Sequence, residues 1–146
     1  MQGLSSYYSL KECFEKLTDL NFNDYITVLN ECNEDILNTL TRFVIFDRIN
    51  QEIGHWCVYD SKDKLYYDPF GYLPPEFLAY SNGQAVLFNT RREQHINSSS
   101  CGYYCMKWIF LNMNHKLDTS NYKTLNDEMN EYEYNNLINL SKYYPL

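Results

Sequence analysis

Residues 101–113, with the sequence CGYYCMKWIFLNM, are apolar on nearly every side of the helix that they predict. Such a helix has no face suited to water, so other elements must cover most of its surface. The chain therefore needs a fold in which this helix lies at the centre. With 146 residues it is long enough to bury such a core, and no repeat, linker or break in composition divides it.

Shorter apolar segments rich in β-branched and aromatic residues predict strands at 42–49, 55–60, 64–68 and 85–89. The second and third of these form a predicted hairpin around residues 61–63. Helices are predicted from a capping box of Ser9 and Glu12, at 30–40 as a short or irregular helix, at 74–80, and near 124–143.

This order of elements predicts an α+β fold with a central, mostly antiparallel sheet. The sheet packs against the buried helix, and further helices flank it. We expect a single domain over residues 1–146, with its principal elements at about 43–113 and a helical C-terminal segment at about 118–146.

The charge and the cysteine content limit the partners of the chain. Twelve Lys and Arg residues against nineteen Asp and Glu give a net charge of −7, which offers no electrostatic reason to bind nucleic acid. No segment reaches the roughly 18 apolar residues of a membrane span, and the N-terminal residues do not resemble a signal peptide. Five cysteines without a CxxC pair predict free thiols in an intracellular, reducing compartment.

Cys101 lies in the first turn of the buried helix, after the polar residues 97–100 that predict its cap. The positive end of a helix dipole stabilises a thiolate, which is the reactive form of cysteine. The first backbone N–H groups of the helix are also free to bind an oxyanion, and Gly102 allows close approach. A cysteine at a helix start is more often a core residue, so a nucleophile needs a base beside it.

His55 is the best candidate base among the three histidines, because it begins a predicted strand directly before Trp56. A hairpin with a two-residue loop at 61–62 places His55 opposite Asp68, with Cβ atoms about 4.5–5.5 Å apart. A register shifted by two residues keeps them diagonal on one face, whereas a shift by one separates them. Asp68 would then orient the imidazole, although a structural histidine and a turn aspartate remain the simpler alternatives.

Gln94 lies seven residues before Cys101, where its amide can donate a hydrogen bond to an oxyanion beside the helix. A single glutamine in a loop is weak evidence by itself. His95 is a competing base, but no carboxylate is placed to orient it. Cys57 and Tyr59 share the predicted strand face with His55 and are expected to line the floor of the site.

Together, four ordered motifs resemble the adenovirus-type maturation proteases and, more distantly, the ubiquitin-like-protein-specific cysteine proteases of the same clan. The motifs are GHW at 54–56, YDPFG at 67–71, Gln94, and SCGYYC at 100–105. Their order of His, acid, Gln and Cys is the order of this clan, and papain-like proteases have the reverse. The motifs are most similar to those of Maverick/Polinton, virophage and related large-capsid DNA virus proteases.

The resemblance implies a thiol endopeptidase of the adenain type, without metal or cofactor, that cleaves viral capsid or virion precursor proteins after small, Gly-containing sites. It assigns the roles of general base, orienting partner, oxyanion donor and nucleophile to His55, Asp68, Gln94 and Cys101, and substrate binding to Trp56 and Gly102. We expect a monomer in infected-cell cytoplasm, nucleus or virion, without a membrane partner. The net charge argues against activation by DNA, and no residue indicates an activating peptide.

Three alternatives stay open from the sequence. A protease that removes ubiquitin-like modifiers would need an extended surface, for which this compact chain has little room. A non-catalytic module of the same fold would not need all four positions to be filled. A zinc site formed by Cys101, Cys105, His55 and His95 lacks the usual ligand spacing. The spacing of thirteen positions from His55 to Asp68 is short for the family, and the first forty residues match none of its motifs.

Overall fold

The computed structural model describes residues 6–48, 55–94 and 100–125. In chain order these form α1 (Tyr7–Thr18), α2 (Phe22–Tyr25), β1 (Ile26–Leu29), a 3-10 helix (Glu34–Asn38), β2 (Phe43–Asp47), β3 (Trp56–Asp60), β4 (Leu65–Tyr67), a 3-10 helix (Glu76–Leu78), β5 (Tyr80–Ser81), β6 (Gln84–Ala85), β7 (Leu87–Asn89), α3 (Cys101–Met113) and β8 (Tyr122–Thr124). The predicted α+β class is confirmed. Within the described residues, no helix has both the length and the apolar character needed to cross a membrane.

The main sheet has six strands in the order β1-β2-β3-β4-β7-β8, and β5 pairs with β6 in a separate ribbon. The pairs β2–β3, β3–β4 and β7–β8 are antiparallel, while β1–β2 and β4–β7 are parallel. The sheet is therefore mixed, with a majority of antiparallel pairs. Strand β3 lies in its interior between β2 and β4, and every residue of β3 is buried.

Two apolar clusters are built from alternate residues of the same strands, as the pleat of a sheet requires. The first joins α1 and α3 to Phe43, Ile45 and Val58. The second contains Val44, Phe46, Cys57, Tyr59, Tyr66 and Phe88. Helix α3 has the bounds predicted for the central helix, and seven of its residues are buried.

Several element boundaries differ from the predictions. Helix α1 is capped by Ser6, whose side chain exchanges hydrogen bonds with Ser9, so the helix begins before the predicted box. Glu12 instead forms an ion pair with Lys16, one turn further along. The predicted helices at 30–40 and 74–80 are shortened to single 3-10 helices, and the strand β1 before the first of them was not predicted.

The C-terminal prediction is wrong for the part that the structure describes. Residues 122–124 form the edge strand β8, in which Thr124 pairs with Leu87 of β7, where a helical segment was expected from about residue 118. Pairing with the exposed edge of β7 outweighs local propensity in this three-residue strand. The rest of that prediction, including the helices expected up to residue 143, lies outside the described residues.

The hairpin between β3 and β4 has a longer loop than the predicted two residues. Val58 pairs with Tyr67 and Asp60 with Leu65, so residues 61–64 form the loop. Lys64 adopts a left-handed conformation with φ of 56°, and the Asp60 carboxylate accepts hydrogen bonds from the backbone N–H groups of the loop. The register is therefore shifted by two residues from the simplest prediction, which keeps His55 and Asp68 on one face as diagonal neighbours.

Candidate active site

His55 directly precedes β3 and Asp68 directly follows β4, and their side chains meet at this end of the hairpin. Nε2 of His55 lies 2.6 Å from Oδ1 of Asp68, a short hydrogen bond between groups of opposite charge when the imidazole is protonated. Only 3% of His55 and none of Asp68 is exposed. The two residues are in contact as predicted, although the register differs from the simplest one.

Hydrogen bonds fix both the carboxylate and the backbone of Asp68. The backbone N–H of Phe70 donates to Oδ1 at 2.7 Å, and Nη1 of Arg48 donates to Oδ2 at 3.3 Å. The side-chain amide of Asn89 pairs with the Asp68 backbone, accepting from its N–H at 2.9 Å and donating to its carbonyl at 2.7 Å. Burial by itself raises the pKa of the Asp68 carboxyl, but the charges of His55 and Arg48 and these hydrogen bonds reverse the effect and leave that pKa lowered.

The imidazole of His55 is oriented by stacking as well as by its hydrogen bond. Its ring lies against Phe70, with centroids 4.3 Å apart and planes 16° apart. Burial lowers the pKa of the imidazole, but the Asp68 charge, together with contacts to Asp68, Cys57 and Cys101, outweighs burial and raises that pKa well above 6.5. Because Nε2 is engaged with Asp68, Nδ1 is the ring nitrogen available to another partner.

Cys101 is the first residue of α3, and its sulfur lies beside the start of β3. Sγ accepts a hydrogen bond from the backbone N–H of Trp56, the residue after His55, at 3.5 Å, and hydrogen bonding with the Cys101 side chain contributes to the raised pKa of His55. Ser100 occupies the N-cap position without a capping hydrogen bond from its side chain. The other predicted cap residues, 97–99, lie outside the described residues. The structure thus places His55 and Cys101 on the same side of the molecule, at the N-terminus of the buried helix.

The chain segment with Gln94 is fixed to the turn that follows Asp68. The backbone N–H groups of Glu93 and Gln94 both donate to the carbonyl of Pro69, at 2.9 and 3.0 Å. Gly71 in the same turn has a φ of +71°, and a Cβ there would lie 3.1 Å from the backbone nitrogen of Arg92. Glycine is therefore required for this close approach. Gln94 is buried, while its hydrogen bond to an oxyanion stays a prediction.

The donor atoms of His55, Cys57 and Asp68 lie within 4.8 Å of one another, which defines a possible three-ligand cluster in the described chain. This cluster is not the predicted alternative with Cys105 and His95, and His95 lies outside the described residues. Oδ1 of Asp68 already accepts two hydrogen bonds, and the Arg48 guanidinium would repel a cation. The cluster is therefore poorly suited to a metal ion.

The remaining predicted residues lie around this centre. Cys57 contacts His55 as expected for a residue below the site, whereas Tyr59 lies further along β3 in the second apolar cluster. Trp56 and Gly102 are both buried next to Cys101, and their part in binding a substrate stays a prediction.

Two residues with a clear structural role at the site were not predicted. Arg48 holds Asp68 and also donates to the hydroxyl of Tyr66 at 2.9 Å. It shares a strand face with Val44 and Phe46, and an arginine on such an apolar face indicates a buried acidic partner. Asn89 is a buried amide at the end of a strand, which likewise indicates a specific hydrogen-bond partner.

Comparisons of this chain with protein-family models, curated proteins and solved structures find no match. The interpretation of the site is therefore based on its geometry. A thiol at a helix N-terminus, an imidazole near it and a carboxylate that orients the imidazole are the groups that nucleophilic catalysis by cysteine requires.

Proposed function

We propose that this chain is a cysteine endopeptidase in which Cys101 is the nucleophile, His55 the general base and Asp68 the residue that orients His55. The observation that carries the proposal is the 2.6 Å contact between His55 and Asp68 beside the start of α3, where the Cys101 sulfur accepts a hydrogen bond from the backbone of the residue after His55. The order of these residues along the elements also favours the adenain-type protease fold as the finer assignment.

In the proposed reaction the Cys101 thiol gives its proton to the imidazole of His55, and the raised pKa of His55 favours this transfer. The Cys101 thiolate attacks the carbonyl carbon of a peptide bond, and its oxygen becomes an oxyanion. The first N–H groups of α3 stabilise this oxyanion, with the Gln94 amide as a second donor. The imidazolium then gives its proton to the leaving amine, and a thioester remains on the sulfur.

Water completes the reaction with the same groups. His55, now neutral, accepts a proton from the water that attacks the thioester carbon, and the thiolate leaves as the carboxylic acid forms. Asp68 stabilises the imidazolium each time it forms, and Arg48 keeps the carboxylate ionised and in place. Each proton that His55 accepts is returned within the cycle.

Restricted access to the sulfur supports a substrate with small residues at the cleavage site. Cys101 and Trp56 are each only 8% exposed, so a large side chain next to the scissile bond would meet the wall of the site. Gly-containing sites in viral capsid or virion precursor proteins are the substrates that the family resemblance favours. Free thiols at all five cysteines, each within the described residues, support a reducing compartment of an infected cell as its location.

Labelling with an active-site-directed probe tests the proposal. Wild type, Cys101→Ser and His55→Ala are treated with a Gly-Gly vinyl sulfone, and the modified residue is identified by mass spectrometry. Modification is expected at Cys101 alone, and much more slowly without His55. Cys13→Ser, which changes a half-buried thiol on α1, is the matched control and should label like wild type. Equal labelling of the five thiols would refute an activated Cys101.

A further inference from the structure

The two polar groups of the Trp56 backbone point away from β2. In the β2–β3 pair, the His55 carbonyl accepts from the N–H of Arg48 at 2.9 Å, and the N–H of Ser61 donates to the carbonyl of Arg42 at 2.8 Å. Residues 55, 57, 59 and 61 therefore bond toward β2. Because bonding directions alternate along a strand, Trp56 directs its N–H and C=O toward the β4 side.

On the β4 side, Trp56 has no strand partner. The register that pairs Val58 with Tyr67 puts Trp56 opposite Pro69, two residues beyond the end of β4. A proline has no N–H to donate to the Trp56 carbonyl, and the carbonyl of Pro69 already accepts from Glu93 and Gln94. Unpaired polar groups of a buried backbone are costly, so the Trp56 groups need other partners.

Two sulfur atoms of α3 supply these partners. Cys101 Sγ accepts from the N–H of Trp56 at 3.5 Å, and Cys105 Sγ donates to the carbonyl of Trp56 at 3.3 Å. The two cysteines are four residues apart and therefore lie on one face of the helix. Burial, together with the charges of Cys101, Cys57 and Asp68, raises the pKa of the Cys105 thiol well above 9.0, so Cys105 keeps the proton that it donates.

We infer that Cys105 is a positioning residue for the nucleophile: its thiol holds Trp56 so that the backbone N–H of Trp56 points at the Cys101 sulfur and stabilises the thiolate. The inference rests on the proposed function of Cys101. A hydrogen bond to a charged acceptor is stronger than one to a neutral acceptor, so a fixed N–H favours the thiolate over the thiol. Without Cys105, the Trp56 carbonyl loses its partner and the direction of the Trp56 N–H is less closely fixed.

A packing role for Cys105 predicts different results. If Cys105 only filled space, Cys105→Ser and Cys105→Ala would both disturb the site through lost apolar contact. If it acts as a donor, Cys105→Ser retains an O–H for the Trp56 carbonyl, while Cys105→Ala does not. Ile109→Val, which trims a fully buried residue two turns further along α3 than Cys101, is the control for loss of packing alone.

The experiment measures alkylation of Cys101 by iodoacetamide in the full chain, followed by mass spectrometry at about pH 6 and about pH 9. The rate at the lower pH divided by the rate at the higher pH reports how far the thiolate is stabilised. We expect Cys105→Ala to lower this ratio about three- to tenfold, the value of one hydrogen bond. Cys105→Ser should restore most of it, and Ile109→Val should leave it unchanged.

Equal ratios for Cys105→Ala and Cys105→Ser, or a similar fall in Ile109→Val, would overturn the inference and leave the proposed function standing. A wild-type Cys101 that reacts at about pH 6 no faster than Cys13 would overturn the proposed function and the inference together. Folded wild type provides a second measurement by NMR. The chemical shift of the Trp56 amide proton should change over the same pH range as the rate of Cys101 alkylation. A chemical shift that does not change over this range would also overturn the inference.

Discussion

The two ends of the β3–β4 hairpin each have a buried carboxylate paired with an arginine, but the pairs are built differently. At the far end, Arg42 grips both oxygens of Asp60, with Nε–Oδ1 and Nη2–Oδ2 distances of 3.1 Å. The side-chain amide of Asn112 in α3 and two backbone N–H groups of the loop also donate hydrogen bonds to the Asp60 carboxylate. At the near end, Arg48 contacts one oxygen of Asp68 at 3.3 Å, and His55 takes the other at 2.6 Å.

The difference shows what separates a structural ion pair from a candidate catalytic one. The donors to Asp60 are a guanidinium, a side-chain amide and backbone N–H groups, none of which transfers a proton near neutral pH. This network therefore fixes the hairpin loop to the end of α3. The shortest hydrogen bond of Asp68 is instead to the imidazole of His55, whose raised pKa reflects both Asp68 and Cys101. A buried carboxylate is available for catalysis when its arginine leaves one oxygen to a group that can itself transfer a proton.

The largest contrast is expected between Asp68→Asn and Asp60→Asn. Loss of the Asp68 charge should lower the rate of Cys101 labelling and of peptide cleavage by about 10²–10⁴-fold, because His55 loses its orientation and its stabilised imidazolium. Asp60→Asn should instead lower the free energy of unfolding by about 1.5–3 kcal/mol, with labelling of the folded protein unchanged. Denaturant titration and labelling kinetics on both variants separate the two effects, and similar labelling in both would remove Asp68 from the mechanism.

The arginines provide the next contrast. Arg48→Met removes a positive charge next to the carboxylate that His55 contacts, so the pKa of His55 should rise further in this variant. Arg42→Met should destabilise the fold without moving the His55 titration. NMR titration of the His55 ring protons measures both. If the two variants shift His55 equally, Arg48 has no specific influence on the imidazole.

Two glycines in positive-φ turns sharpen the comparison between the site and the rest of the chain. Gly71→Ala should strain the backbone and push apart the Pro69 turn and the segment with Gln94, lowering kcat/KM several-fold beyond the stability loss. Gly83→Ala has the same kind of strain, with φ of +77°, but nothing lies within 4 Å of its Cβ position. It should cost about 1 kcal/mol and leave activity unchanged. Equal kcat/KM in the two variants would contradict this account of Gly71.

The smallest expected effect is the dependence of stability on pH. The pKa of His55 is raised by folding, so its contribution is fully present below 6.5 and is lost as the pH rises through the raised value. The pKa of Asp68 is lowered, so its contribution is present above 3.8 and is lost as the pH falls through the lowered value. The stability advantage of wild type over Asp68→Asn should therefore be greatest between these limits and decline at alkaline pH.

Denaturant unfolding at a series of pH values measures this advantage. Asp60→Asn is the control, since no imidazole or thiol contacts the Asp60–Arg42 pair in the described structure. Its difference from wild type should not follow the His55 titration. An advantage for wild type over Asp68→Asn that increases with alkaline pH would have the wrong sign for the His55–Asp68 contact.

The sequence predicted the central helix with its bounds, because an all-round apolar segment has few other interpretations. It also predicted that His55 and Asp68 share a sheet face. The loop length stayed ambiguous, since residues 61–64 contain no recognisable turn motif, although Lys64 adopts the left-handed conformation. The order of the strands in the sheet could not be predicted from the sequence either, because β1 and β8 are short edge strands without hydrophobic periodicity.

The finer parts of the site depend on the register and could not be predicted before it. The role of Cys105 as a donor to the Trp56 carbonyl can be recognised only when Pro69 is known to lie opposite Trp56. That pairing changes with the loop length. The turn around Gly71 likewise depends on the approach of residues 91 and 92, which are distant along the chain. Local patterns identify the chemical groups, whereas long-range pairing determines which of them share a hydrogen bond.

The hydrogen bonds between the Trp56 backbone and the two α3 sulfurs span 45 and 49 residues of sequence. Contacts of such long range form late, after the strands and the helix have come together. In a nascent or partly unfolded chain, the thiol is therefore not yet close to the imidazole and the carboxylate. The reactivity proposed for Cys101 would therefore arise only when folding is finished, and a chain still being synthesised would lack it.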